Sequence, residues 1–204
     1  MSRADRFDRA DFAARYAEPS IAPTATEPAR EASQPPEAPP AAAHVGTSPV
    51  HPQALQWPIA RKSLSRVGES VLADRNGQGR PHKGIDLFAD AGTEVRAASD
   101  GVVLRVVDGR KSPHESLRRA GLFVDVRAPN ALVYRFLHLG QSRVDPGQSV
   151  EQGAVVGTVA PAHSSGLAKA PHVHFEIRQG DFDSHRKDYG APIDPLRLLP
   201  PLRA

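Results

Sequence analysis

Short apolar runs rich in β-branched residues, separated by Gly, Asp, Asn and Pro, dominate the chain from about residue 55 onward. None of them keeps the period of about 3.6 residues that an amphipathic helix requires. Regularly spaced short strands with turn residues between them are typical of β-sandwiches and barrels. The pattern therefore predicts a mainly β fold, a compact antiparallel sandwich or barrel, with short helices near 112–119 and 195–199. The predicted strands are 84–88, 94–97, 101–107, 122–126, 132–138, 154–159 and 173–178.

The segment 171–177 alternates most strictly between polar and apolar residues. As a strand it sends its apolar side chains into a core, while His172, His174 and Glu176 share the opposite face. Two imidazoles about 7 Å apart on one strand face can serve one small site. A metal could take one of them while the other faces whatever binds to that metal. Taken alone, a His-x-His motif is more often a surface strand that carries incidental histidines.

The composition divides the chain into three parts. Residues 1–17 alternate Arg and Asp around three aromatic residues, which predicts a short helix or a docking peptide. Residues 18–52 are rich in Pro and Ala and predict a disordered linker. Residues 53–204 form the predicted folded domain. The N-terminus has no apolar segment typical of a Sec-type signal peptide, and no apolar run has the length of a transmembrane helix.

Charge and cysteine content limit the possible metal ligands and the possible binding partners. The chain has no Cys, so any metal site must use His and carboxylate ligands. The net charge is +3, without a run of five or six basic residues and without basic residues interleaved with aromatics. These features argue against nucleic-acid binding.

A second informative stretch is 81–86, where His82 and Asp86 stand four residues apart and Gly84 allows a tight turn between them. Together with one histidine of the 172/174 pair they would form a set of three protein ligands. Three protein ligands and one open position are the pattern of catalytic zinc sites. The sequence thus predicts a zinc site that brings both stretches together.

His138 ends the predicted strand 132–138. Strict alternation places it on the same face as Tyr134 and Phe136. A histidine at a strand end is, on its own, more often a packed or capping residue than a catalytic one.

Four motifs in this order resemble the lysostaphin/LytM-type zinc metalloendopeptidases, which cleave the peptide part of bacterial peptidoglycan. They are His-x-x-x-Asp at 82–86, aromatic-x-His-Leu at 136–139, a Gly-spaced Val-rich segment at 150–157 and Pro-His-x-His-Phe-Glu at 171–176. The resemblance extends from about Trp57 to Pro195. It implies a β-sheet metallopeptidase domain, monomeric, whose long loops wall a substrate groove.

The resemblance also implies the roles of individual residues. One zinc ion per chain would be held by His82, Asp86 and His174. His138 and His172 would be the catalytic histidines, and which of them is the base stays open. Further residues near the groove or behind the ligands would be Glu176, Tyr134 and Phe136; for Glu176 a solvated strand-end carboxylate is the alternative.

Two departures from the family pattern concern the substrate groove. Phe136 stands where the family usually has Tyr, and Tyr134 could compensate for the missing hydroxyl. The segment 108–121 is long and charged where the family often has a short Gly-rich turn. The five positions implied as ligands or catalytic residues are all retained.

The predicted function is zinc-dependent hydrolysis of peptide bonds in peptidoglycan, in cross-links or stem peptides, by a metal-activated water. The alternative is a non-catalytic wall-binding or hydrolase-activating module on the same scaffold. A carrier or structural barrel would leave the motif set unexplained. The expected site of action is the cell wall, in the periplasm or outside the cell. Delivery by lysis, a virion or a secretion assembly is an option, with the N-terminal tail docking to that assembly.

Overall fold

The computed structural model describes residues 54–68, 81–180, 182 and 190–202. All of them belong to one compact unit, Thr47–Ala204. The N-terminal helix or docking peptide and the linker predicted for residues 1–52 lie outside the described residues. Within the described part, no helix has the length and apolar character needed to cross a membrane.

Antiparallel strands make up most of the described structure, as the sequence pattern predicts. One helix, α1 (Glu115–Ala120), and two single 3-10 turns, Arg61–Ser63 and Pro195–Arg197, accompany them. The strands are β1 (Arg66–Val67), β2 (Ile85–Phe88), β3 (Glu94–Arg96), β4 (Gly101–Asp108), β5 (Leu122–Arg127), β6 (Val133–Ser142), β7 (Ser149–Val150), β8 (Val155–Val159), β9 (His172–Gln179) and β10 (Ala191–Ile193).

Strand β9 lies at the centre of the sheet, between β2 and β6. The main strand order is β1-β2-β9-β6-β5-β4-β7. Strand β10 extends β9 at one end, and β8 pairs with both β3 and β6. Because β9 has neighbours on both edges, its residues are held in register from two sides. Asp86 of β2 and Leu137 of β6 both lie opposite His174.

All seven strands expected from the pattern are present, and the helices expected near 112–119 and 195–199 appear as α1 and the second 3-10 turn. The strands that the pattern missed, β1, β7 and β10, have only two or three residues. A period of two residues cannot be recognised over so short a segment. Their places are set by pairing with neighbouring strands.

Both faces of β9 are buried. Val173, Phe175 and Ile177 join the main apolar core, as the alternation predicts. The residues of the opposite face, His172, His174 and Glu176, are buried as well. The polar face is therefore covered by other parts of the chain, and its charges need partners within the protein.

Gly84, between His82 and Asp86, is required by a close backbone approach. A Cβ atom at this position would lie 2.1 Å from the carbonyl oxygen of Phe175. The φ angle of Gly84 is outside the left-handed region, so contact with β9, rather than the tight turn expected from sequence, excludes a side chain. The glycine lets the segment that carries His82 lie directly against β9.

We expect Gly84→Ala to lower the free energy of unfolding by about 1–3 kcal/mol, because the methyl group forces β2 and β9 apart. Urea unfolding of the metal-free protein measures this cost. Gly147→Asn is the matched control, since a Cβ atom there meets no atom within 4 Å and Asn tolerates its φ of 85°. The control should change stability by no more than about 0.5 kcal/mol. An equal loss in both variants would contradict the steric explanation.

Candidate metal centre

The pairing of β2 with β9 brings three potential metal ligands together. Asp86 lies directly opposite His174 in the register, and His82 precedes β2 by three residues. Asp86 Oδ1 is 2.8 Å from His174 Nδ1 and 3.3 Å from His82 Nε2. The two imidazole nitrogens are 3.0 Å apart. All three side chains are buried.

These three donor atoms fit a small tetrahedral metal ion. Ligand atoms about 2.0–2.1 Å from zinc in a tetrahedron lie about 3.3 Å from one another. The separations of 2.8–3.3 Å are close to that edge length, so small side-chain movements complete the coordination. Within the described residues, this group of His and Asp ligand atoms is compact enough to hold a metal ion. Two imidazoles and one carboxylate are donors that suit zinc.

The electrostatic environment keeps the Asp86 carboxylate charged. Burial by itself would raise the pKa of Asp86, but hydrogen bonds to His174 and His82 hold this pKa far below its usual value. For His174, burial acts to lower the pKa, and hydrogen bonds to Asp86 and Glu176 outweigh it and raise the pKa. Each ring nitrogen of His174 thus has a carboxylate oxygen within hydrogen-bonding distance.

Glu176 supports His174 from the side opposite the candidate metal position. Its Oε1 is 3.0 Å from His174 Nε2, whereas His174 Nδ1 faces Asp86. A carboxylate on the second ring nitrogen is the usual arrangement for a metal-ligating histidine, because it fixes the tautomer and the ring orientation. The carboxyl group of Glu176 is buried, so it is not the solvated strand-end group that the sequence also allowed.

A network of buried ion pairs holds Glu176 in turn. Its Oε2 accepts hydrogen bonds from Arg178 Nη2 at 2.6 Å and Nε at 2.8 Å, and lies 3.5 Å from Arg135 Nη1. Arg135 Nε donates to Asp125 Oδ1 at 2.9 Å, and Arg105 Nε donates to Asp125 Oδ2 at 2.8 Å. Arg135 and Asp125 are completely buried. Burial by itself would raise the pKa of Glu176, but the hydrogen bond from His174 and Coulombic attraction to His174, Arg135 and Arg178 outweigh it and lower this pKa.

The sequence analysis missed this network, although its signal is visible in the printed sequence. Asp125 and Arg135 stand inside apolar strands, where an unpaired charge would be costly. They lie opposite each other in the β5–β6 pairing. A pair of opposite charges in two adjacent buried strands could therefore have been read as an internal ion pair.

His172 borders the candidate centre without lying within bonding distance of the other donors. Its Nδ1 is 2.7 Å from the carbonyl oxygen of Ala170, and a carbonyl can only accept, so Nδ1 carries the hydrogen. Its Nε2 is 3.8 Å from Asp86 Oδ1. In the neutral ring this leaves the Nε2 lone pair directed toward the centre, where it can accept a proton.

His138 reaches the same centre through a β-bulge in β6. The register shifts between Leu122 and Val124 of β5, and His138 adopts a left-handed φ of 64°. The bulge directs the His138 ring toward His172, with ring centroids 5.0 Å apart. Burial lowers the pKa of His138 to about 3, so the ring is neutral at pH 7.

The bulge also corrects the expectation that His138 shares a face with Tyr134 and Phe136. Both aromatic rings lie in the apolar core, where each packs against Phe175. Leu139 joins them there, so the extra residue of the bulge moves His138 to the opposite face. Tyr134 and Phe136, named from sequence as groove residues, therefore do not line the candidate centre.

The remaining histidines lie apart from the centre or outside the described residues. His114 and His163 are exposed. His44, His51 and His185 lie outside the described part of the chain.

Comparison with known sequences identifies a matching family. The sequence profile of Peptidase family M23 matches residues 80–195. This stretch includes all five histidine and aspartate positions described above.

Individual relatives agree with that match. The chain is 35% identical over 117 residues to the peptidoglycan DD-endopeptidase ShyC of Vibrio cholerae, across 57% of this chain and 24% of that protein. It is 31% identical over 123 residues to the glycyl-glycine endopeptidase ALE-1 of Staphylococcus capitis, across 59% of this chain and 30% of that protein. The matched region thus spans less than a third of the length of either relative.

A solved structure has the same fold. The catalytic domain of the antimicrobial peptidase lysostaphin from Staphylococcus simulans superposes with a TM-score of 0.53 and 22% identity. The superposition covers 65% of this chain and 90% of that domain. The sheet described here is therefore the fold of that catalytic domain.

The left-handed backbone of His138 generates a prediction about stability. We expect His138→Gly to be more stable than His138→Ala by about 1 kcal/mol, because Ala keeps the Cβ atom that opposes a positive φ and Gly does not. Denaturant unfolding of both metal-free variants measures the difference. At His172, in a regular strand, the same pair should show the opposite order, with Gly less stable by about 0.5–1 kcal/mol. If Ala were at least as stable as Gly at position 138, the bulge would carry no backbone strain.

Proposed function

The chain belongs to peptidase family M23, and from this premise we propose that it is a zinc-dependent endopeptidase that hydrolyses peptide bonds in bacterial peptidoglycan. The observation that carries the proposal is the convergence of three buried donor atoms, on His82, Asp86 and His174, beside two further histidines. The names of relatives add support, since two of them are endopeptidases, one of which acts on peptidoglycan. Because those names differ in the bond cleaved, the proposal leaves the scissile bond open.

In this proposal His82, Asp86 and His174 hold one zinc ion. A zinc ion in this position supplies Lewis acidity, which activates water at neutral pH and polarises the scissile carbonyl. Glu176 fixes the tautomer of His174, so that Nδ1 presents its lone pair to the ion.

The two flanking histidines have different hydrogen-bonding states, and this difference suggests their roles. His172 donates from Nδ1 to Ala170, so its Nε2 is suited to accept the proton of the attacking water. His138 is buried and neutral, and a neutral imidazole can donate a hydrogen bond to the oxyanion that develops on the carbonyl. We therefore assign His172 as the general base and His138 as the oxyanion donor.

The proposed catalytic domain is the segment 53–204, and its proposed place of action is the cell wall. The N-terminal 52 residues are proposed to be a docking peptide and a linker to a larger assembly. These assignments rest on the composition of the sequence.

We expect the full chain with zinc to release peptides from purified peptidoglycan sacculi, because the proposed centre needs the metal to activate water. Mass spectrometry of the soluble products gives the new amino terminus and thus the bond cleaved. Treatment with a chelator should abolish release, and added zinc should restore it.

A control separates catalysis from binding. Sacculi that stay intact while each chain holds one zinc ion would contradict the peptidase and favour a wall-binding or hydrolase-activating module. Release that persists unchanged after metal removal would contradict the role of zinc.

We expect zinc affinity to follow the position of each side chain relative to the ion. His174→Ala and Asp86→Ala should lose zinc and activity together, because each removes a ligand. Glu176→Gln should weaken zinc binding by about 10- to 100-fold, because the amide no longer fixes the His174 tautomer as an anion does. Competition with a chromophoric chelator measures the dissociation constants.

The flanking histidines serve as the matched controls for this series. His138→Ala and His172→Ala should keep zinc affinity near that of the wild type and lose turnover. Strong loss of zinc in either variant would make that residue a ligand, and retained turnover would exclude its catalytic role.

A further inference from the structure

The charged segment 108–121 and the loop 160–170 enclose a cleft of about 280 Å³ beside the candidate centre. Three arginines contribute to its wall, together with one carboxylate and four residues of the loop. The arginines are Arg110, Arg118 and Arg119, the carboxylate is Glu115, and the loop residues include Gly166 and Leu167. The cleft is open to solvent, and guanidinium groups outnumber carboxylates in its wall.

Gly166 joins the cleft to the centre. A Cβ atom on Gly166 would lie 2.5 Å from His138 Nδ1 and 2.5 Å from the carbonyl oxygen of Arg119. The missing side chain at Gly166 leaves room for the Arg119 carbonyl oxygen and the His138 ring on the same side of this glycine. Gly166 therefore belongs both to the cleft wall and to the surroundings of the His138 ring.

The cleft wall is held in place by hydrogen bonds between the loop and the strand–helix region. Leu167 N–H donates to the Arg119 carbonyl oxygen at 3.2 Å. Leu122 N–H donates to the buried Ser165 Oγ at 3.0 Å. The C-terminal end of α1 therefore keeps a defined position relative to the loop.

Arg118 differs from its neighbours in its partners. Arg110 pairs with Asp108 at 2.6 Å, and Arg119 pairs with Glu115 at 2.8 Å. Among the residues that the structure describes, Arg118 bonds only to neutral groups, with Nη1 donating to the carbonyl oxygens of Ser112 at 2.9 Å and Pro113 at 2.6 Å. These bonds orient the guanidinium and leave its charge without an internal counterion.

We propose that this cleft binds a free carboxylate of the peptide substrate close to the scissile bond, with Arg118 as the residue that recognises it. An oriented guanidinium with an unbalanced charge is suited to a carboxylate, and the exposed Leu167 offers an apolar surface to the aliphatic part of the same residue. The proposal rests on the peptidase function proposed above. It makes the cleft a determinant of substrate choice in a segment that departs from the family pattern.

A matched pair of substrates tests the proposal. Cross-linked muropeptides are compared with the same muropeptides after conversion of their carboxylates to carboxamides with carbodiimide and ammonium chloride. The zinc-loaded full chain should cleave the amidated form with a KM about five- to tenfold higher, because a charge-assisted hydrogen bond becomes a neutral one. In Arg118→Gln the KM for the carboxylate form should rise to that of the amidated form, while the KM for the amidated form stays unchanged.

Two variants separate recognition from structural damage. Arg118→Lys keeps the charge and should retain part of the preference. Arg197→Gln removes an exposed arginine of the second 3-10 turn and should retain all of it. Unfolding, or a disturbed conformation of the loop 160–170, would raise the KM of both substrate forms alike. Loss of carboxylate recognition would raise only the KM of the carboxylate form.

Calorimetric binding of both muropeptide forms to the metal-free full chain gives a second readout that needs no turnover. If the wild type cleaves neither form, the peptidase proposal fails. The ratio of the dissociation constants of the amidated and carboxylate forms then still tests whether the cleft recognises a carboxylate. Equal KM and equal dissociation constants for the two forms in the wild type would overturn the proposal. An unchanged preference in Arg118→Gln would exclude Arg118 as the residue that recognises the carboxylate.

Discussion

The antiparallel pairing of β2 with β9 is the constraint on which the rest of the centre depends. It places Asp86 opposite His174, and the close contact at Gly84 lets His82 return to the same point. Side chains in a strand alternate between faces, so a slip of one residue would move His174 into the apolar core and Phe175 to the polar face. The aromatic packing around Phe175 opposes that slip. The same contacts that form the core therefore set the distances between the donor atoms.

The polar face of the sheet is organised by charge, beside a small apolar cluster of Ala120, Phe123 and Leu137. His174, Glu176, Arg135, Asp125 and Arg105 form a chain of contacts across four strands, β9, β6, β5 and β4. Removing one member of a buried ion pair typically costs about 3–5 kcal/mol, because the remaining charge loses its partner. Each group in the chain thus keeps its neighbour in one orientation. The imidazole of His174 is thus oriented from its Nε2 side, opposite the side that faces Asp86.

The sequence predicted the seven longer strands and the β-sheet class, because strand periodicity is a local property. The complete set of residues that meet at the centre was implied by the resemblance to a known family, because their motifs stand far apart along the chain. The sequence did not predict the face of His138, since the bulge in β6 comes from pairing with β5 and β8. For the same reason Tyr134 and Phe136 were expected near the groove and lie in the core. The cleft beside His138 could not be predicted from the sequence either. The segments that form it are distant along the chain and are brought together by hydrogen bonds such as that from Leu122 N–H to Ser165 Oγ.

The distance along the chain between the candidate ligands has a consequence for biosynthesis. His82 and His174 are 92 positions apart, and β9, which carries the second of them, is one of the last strands to leave the ribosome. A nascent chain that ends before β9 has only two of the three donors. Strong binding of the proposed ion would begin only when the sheet closes around its central strand, since affinity for an ion is gained together with the folded structure. Under the proposed function, hydrolysis that depends on the ion would begin only after β9 has joined the sheet.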